Sequence, residues 1–199
     1  MKATLAALLI IIATIDAAAE PSDINIIPSL LEEKYGKILF GERTSKINTI
    51  VIHAISAINV YPQEPFSVEK CMEILSDNGV SSHYIIDRSG KIYFLVPEEK
   101  KAWHAGVSQM PPPDNRKNVN DFSIGIELIG NEEVPFEEEQ YSALNFLLSD
   151  IKKRYDIKYV LGHQHIATKK LVEAGLRKDV KWDPGKQFDW NKIEKENKQ

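Results

Sequence analysis

Residues 160–185 read VLGHQHIATKKLVEAGLRKDVKWDPG: a short apolar run delivers His163, and further on Asp183 precedes a Pro-Gly turn that fixes its backbone. An imidazole and a carboxylate held in this way are two thirds of a hydrolytic metal site, which needs three protein ligands and one open position. The third candidate is His53. It closes the run Ile47-Asn48-Thr49-Ile50-Val51-Ile52-His53, whose β-branched residues predict a buried strand with an imidazole at its end. Two imidazoles and a carboxylate are a set that zinc favours. His165 competes with His163, because in an extended chain the two face opposite sides and only one points at a shared site.

Outward from this stretch, residues 122–130 (FSIGIELIG) predict a second buried strand with Glu127 inside it. A carboxylate in such apolar company is costly unless it is paired or used. Residues 82–96 predict a hairpin turning at Asp87-Arg88-Ser89-Gly90, where glycine supplies the positive φ of a tight turn. Between residues 137 and 155, Tyr141, Leu144, Leu147, Leu148, Ile151 and Tyr155 recur at three and four, the spacing of one helical face. Val68, Cys71, Met72 and Leu75 mark another helix near residues 67–77, with Cys71 a buried thiol. Residues 158–161 predict a short strand, residues 187–194 a short final helix, residues 109–120 an exposed proline-rich loop and residues 20–44 a surface wrap. Strands and helices intermix without regular βαβ alternation. The expectation is one α/β domain, a central mixed β-sheet flanked by helices, with the metal at one edge of the sheet.

Composition narrows the functional classes. The chain has 199 residues, is 43% hydrophobic and 27% charged, and carries a net charge of −4. That suits one soluble domain, and the scattered basic residues form no stripe that would track a phosphate backbone, so nucleic acid is not an expected partner. Residues 1–19 have a lysine, an apolar core and the small residues Ala17-Ala18-Ala19, the pattern of a cleaved signal peptide. The apolar run is shorter than the roughly 20 residues a bilayer span needs. An exported, periplasmic or secreted monomer is expected, with no membrane span after cleavage. No cysteine near the cleavage site offers a lipid anchor, and Cys71, alone, excludes an internal disulfide.

Six blocks now stand in order: TIVIH (49–53), SHYIID (82–87), WHAG (103–106), SIGIE (123–127), GH (162–163) and KWDPG (181–185). Together they resemble the zinc-dependent N-acetylmuramoyl-L-alanine amidases of the amidase_2 family, similar in fold to the peptidoglycan recognition proteins. The resemblance covers residues 48–190. It implies one zinc per chain on His53, His163 and Asp183, with water in the fourth place. It further implies Glu127 as the group that handles the water's proton, Lys181 as the cation facing the oxyanion, and Trp103, His104 and His83 as residues lining the substrate site, with a structural role in the hairpin an equal alternative for His83. Taken with the leader pattern of the first residues, the expected division is a signal peptide at 1–19, an N-terminal extension at 20–46 and an amidase domain at 47–199. The implied substrate is peptidoglycan or its muropeptide fragments. A recognition protein of the same fold that binds without cutting is the alternative, and a purely structural zinc site with His165 as fourth ligand is a third reading. Two departures from the family pattern are visible: His165 and Thr168 replace an acidic residue and a proline, and residues 169–179 are inserted ahead of Lys181.

Overall fold

The computed structural model describes residues 24–26, as backbone, and 40–193; the expected signal peptide lies outside the described residues. Its centre is a six-stranded sheet in the order β1-β5-β4-β7-β3-β8. The strands are β1 (Ile24–Ile26), β3 (Thr49–Ile55), β4 (Tyr84–Ile86), β5 (Ile92–Phe94), β7 (Ser123–Ile129) and β8 (Tyr159–Gly162). All neighbours run parallel except β4 and β5, the expected hairpin. Two strands outside this sheet, β2 (Phe40–Glu42) and β6 (Lys100–Ala102), pair antiparallel. Residues 24–26 and 40–42, expected as a surface wrap, thus contribute paired strands. The strand expected to end at His53 runs on to Ile55, because its hydrogen-bonded register with β7 continues through Ile55 and Ile129.

Period-two alternation divides β3 and β7 into two faces. On one face Ile50, Ile52, Ile124, Ile126 and Leu128 pack with Tyr84 and Ile86. They lie under α2 (Glu138–Arg154), which buries Tyr141, Leu144, Leu147, Leu148 and Ile151 against them. Each such side chain contributes about 1.5–3 kcal/mol over its exposed state. The helix begins in a capping box between Glu137 and Gln140. The buried amide of Gln140 also donates to the carbonyls of Ile86 and Ile129, tying the helix start to the ends of β4 and β7. Acidic Glu138 and Glu139 in the first turn and Lys152, Lys153 and Arg154 in the last suit the helix dipole.

The opposite face carries Thr49, Val51 and His53 on β3 and Ser123, Gly125 and Glu127 on β7, with His53 in register beside Glu127. Below the hairpin half of this face, α1 (Val68–Asp77) buries Val68, Cys71 and Met72, with Ser67 accepting the Lys70 amide as N-cap. The expected final helix is a short 3-10 turn at Trp190–Lys192. It is anchored by the Phe188 and Trp190 rings, whose centroids lie 4.8 Å apart. Among the described residues no helix is long and apolar enough to cross a membrane.

Candidate metal centre

The chemistry collects at the carboxyl ends of three adjacent parallel strands, where open α/β sheets form their ligand crevices. These strands are the edge strand β8 and its neighbours β3 and β7, so the site sits toward one edge of the sheet, as expected. His53 and Glu127 come from the ends of β3 and β7, and His163 follows β8 directly as the first residue of the single-turn α3 (His163–Ile166). That turn resolves the competition between the two histidines. The His163 side chain reaches the centre, whereas His165 accepts the Gly162 N–H through Nδ1 at 2.9 Å and packs on Trp190.

Asp183 is brought in by its turn. Gln164 holds that turn twice, its main-chain N–H donating to the Asp183 carbonyl at 2.9 Å and its side-chain oxygen accepting from Gly185 at 3.0 Å. Gly162 is required here, since a Cβ would stand 2.6 Å from the Pro184 ring.

Three buried atoms converge. His53 Nδ1 lies 3.1 Å from His163 Nδ1 and 3.0 Å from Asp183 Oδ2, and His163 Nδ1 lies 3.2 Å from the same oxygen. His163 Nε2 faces the Ala105 carbonyl at 3.1 Å and must donate to it, which leaves Nδ1 as a bare lone pair. Three buried acceptors around one point favour a cation between them. A tetrahedral ion with bonds of about 2.0–2.1 Å sets its ligands about 3.3 Å apart, close to the observed triangle. His53, His163 and Asp183 are accordingly a group able to hold a metal ion.

The surroundings tune the charges. Burial lowers His53 to about 4. Glu127 is pushed well above the usual carboxylate range by burial and by the Asp183 charge, with Lys181 opposing. A carboxyl raised in this way is the kind of group that takes and returns protons in general acid–base chemistry.

A cavity of about 420 Å³ opens over these groups, and Trp103, His104, Glu127, Arg177, Lys181 and Trp182 stand among its lining residues. Lys181 is exposed at the wall, its main-chain N–H bonded to the Ala167 carbonyl. Of the residues expected to line the substrate site, Trp103 and His104 line this cavity. His83 does not, and that expectation is corrected. It is fully buried, with Nδ1 accepting the Gly125 N–H at 3.0 Å and Nε2 donating to the Lys100 carbonyl at 3.2 Å. Burial, and then the adjacent Arg43 guanidinium, pulls His83 down to about 3.

Arg43 itself was not singled out by the sequence reading. Its guanidinium donates to the carbonyls of Glu98, Lys100, Asn120, Asp121 and Ser123, locking the loops beneath the site. Arg177 was also missed; it belongs to the inserted stretch and ties it to the neighbouring loop by donating to the Val107 carbonyl. The departure in family spacing was the one signal pointing to it.

A mixed sheet with a buried His-His-carboxylate triad at the carboxyl ends of its strands defines an α/β domain with one cluster able to hold a metal ion among the described residues. The chain belongs to the Amidase_2 family, described as N-acetylmuramoyl-L-alanine amidase, which it matches over residues 43–186. It is 40% identical over 116 residues to the 1,6-anhydro-N-acetylmuramyl-L-alanine amidase AmpD of Haemophilus influenzae, covering 57% of this chain and 56% of that protein. To the N-acetylmuramoyl-L-alanine amidase AmiD of Escherichia coli it is 36% identical over 166 residues, covering 74% and 52%. The chain thus spans about half the length of the curated relatives it matches. Among solved structures, a selenomethionine AmpD derivative superposes with a TM-score of 0.67 at 28% identity over 86% of this chain and 93% of that one. The E. coli AmiD complex with anhydro-N-acetylmuramic acid-L-Ala-D-γ-Glu-L-Lys gives 0.58 at 34% identity over 75% and 56%.

Proposed function

We propose that this protein is a zinc amidase that hydrolyses the amide between the lactyl group of N-acetylmuramic acid and L-alanine, in peptidoglycan or in its muropeptide fragments. The observation that carries this reading is the buried triangle of two Nδ1 lone pairs and one carboxylate oxygen, sharing its cavity with Glu127. Family membership supplies the substrate class, and the AmiD complex shows an anhydromuropeptide held by a relative.

His53, His163 and Asp183 would hold one zinc per chain, and a zinc ion there would supply Lewis acidity and make water a better proton donor near neutral pH. The chain's own residues do the rest. The Glu127 carboxylate takes the proton of the attacking water and returns it to the departing L-alanine nitrogen. The Lys181 ammonium faces the oxygen on which negative charge develops, a contribution of about 3 kcal/mol for a fixed donor. Trp103 and Trp182, both part-exposed on the cavity wall, offer flat apolar surface to the sugar and stem.

The same proposal includes export through residues 1–19 and action as a monomer on envelope material. The complete ligand set argues against a purely recognising protein, and His165, bonded to Gly162, is not placed to be the fourth ligand of a structural site. The test is mass spectrometry of muropeptides, with and without the 1,6-anhydro sugar, after incubation with zinc-loaded protein and with the His53→Ala variant. Stem peptides beginning with free L-alanine, absent with the variant, support the amidase. Intact fragments that remain bound support the recognition protein.

A further inference from the structure

The two imidazoles of the triad, His53 and His163, both contact one loop, at His104 and Ala105, and His104 in turn contacts Ser123. His104 stands with Nδ1 3.0 Å from His53 Nε2 and with Nε2 3.1 Å from Ser123 Oγ. Ser123 Oγ lies 2.6 Å from the Val119 carbonyl. The carbonyl can only accept, so the serine proton is committed to it and Oγ must accept from His104 Nε2–H. His104 is then left with a bare Nδ1, which must accept from His53 Nε2–H. His53 in turn is left with a bare Nδ1, aimed at the metal position. Every step has a single direction, set at the Val119 end.

The neighbouring residue performs the same office for the second imidazole, since the Ala105 carbonyl fixes His163 in its Nε2–H form. Asn120 clamps the pair, its Oδ1 accepting from the His104 N–H at 3.2 Å and from the Ala105 N–H at 2.8 Å. Gly125 makes room, because a Cβ there would lie 2.5 Å from the His104 ring. The strand face Ser123, Gly125, Glu127 is thus occupied position by position: an acceptor for His104, a flat seat for its ring, and the buried carboxyl.

We propose that His104 and Ser123 are positioning residues which, through a one-way hydrogen-bond chain from the Val119 carbonyl, hold His53 in the tautomer that presents Nδ1 to the metal. This inference rests on the zinc reading above and assigns His104 to orienting a ligand in place of binding substrate. Partners of this kind are worth about 10–100-fold in metal affinity.

The experiment pairs zinc affinity, by competition with a chelator, with long-range ¹⁵N–¹H spectra of the histidine rings in metal-free protein at neutral pH. In the wild type His53 and His163 both show the Nε2–H pattern. His104→Leu should weaken zinc about 10–100-fold and leave His53 a mixture of tautomers with His163 unchanged. His104→Asn, whose side-chain oxygen can replace Nδ1 as acceptor, should recover most of the loss. Ser123→Ala touches no metal ligand and still should weaken zinc and disturb His53 alone. It also decides the matter if His104→Leu fails to fold. An Nε2–H pattern at His53 and wild-type zinc affinity in Ser123→Ala would overturn the chain. If the wild type takes up no zinc, the function proposed above fails, whereas the metal-free spectra still decide the chain by whether His53 follows Ser123.

Discussion

The site has two halves built in different ways. His53 and Glu127 stand in register on adjacent interior strands, buried but for the side that faces the cavity. Lys181, Trp182 and Asp183 come from a turn whose neighbours Val180 and Leu176 are about half exposed, held by Gln164 and Pro184 and not by a sheet. The strand half costs nothing extra to position, because the register that makes the core also makes the site. The turn half depends on a few local contacts and on whatever its ligands share with the first half. A shared cation is therefore worth most to the turn.

Removing a ligand on the turn side separates the halves most sharply. Asp183→Ala should reduce bound zinc below one per chain and turnover to background. Hydrogen exchange should then accelerate across residues 163–185 and stay slow in Thr49–Ile55 and Ser123–Ile129. Equal loss of protection in both regions would show that they are one unit. Next in size, Glu127→Ala on the strand side should lower turnover by about 10²–10⁴ with zinc still bound, as metal analysis beside steady-state rates will show. Wild-type turnover in that variant would remove Glu127 from the mechanism.

The difference between the halves also explains what the sequence reveals. β-branched runs with a polar residue at the end made both strands and the residues His53 and Glu127 readable, since alternation alone decides which side chains face the helix α2. Asp183 was readable because Asp-Pro-Gly is a turn with a mechanism. Periodicity could not choose His163 over His165, because the chain curls into a helical turn directly after Gly162; the family resemblance made that choice. His83 looked like a site residue because it sits in a block shared with the family, yet its ring is spent on Gly125 and Lys100. Arg43 and Arg177 act through carbonyls of distant loops, and no local pattern announces such partners.

Two smaller effects test the strand half by itself. Gly125→Ala drives a methyl group into the His104 ring and should cost about 1–3 kcal/mol in denaturant unfolding, with the fold kept. Acid gives a milder probe. His83 is pulled from its ordinary 6.5 down to about 3, so between those values the unfolded chain binds a proton that the folded chain refuses. Stability present above pH 6.5 is lost as pH falls toward 3, by at most about 1.4 kcal/mol per pH unit from this group. Replacing His83 with glutamine should flatten that part of the stability–pH curve, and an unchanged slope would show that His83 is not its source.

The most direct test of the whole account is muropeptide hydrolysis by zinc-loaded protein in H₂¹⁸O, followed by mass spectrometry of both products. Attack at the lactyl carbonyl predicts one ¹⁸O in the carboxylate of the released N-acetylmuramic acid and an unlabelled stem peptide with a free L-alanine amine. Label in the peptide, a cut at another bond, or no cut at all would contradict it.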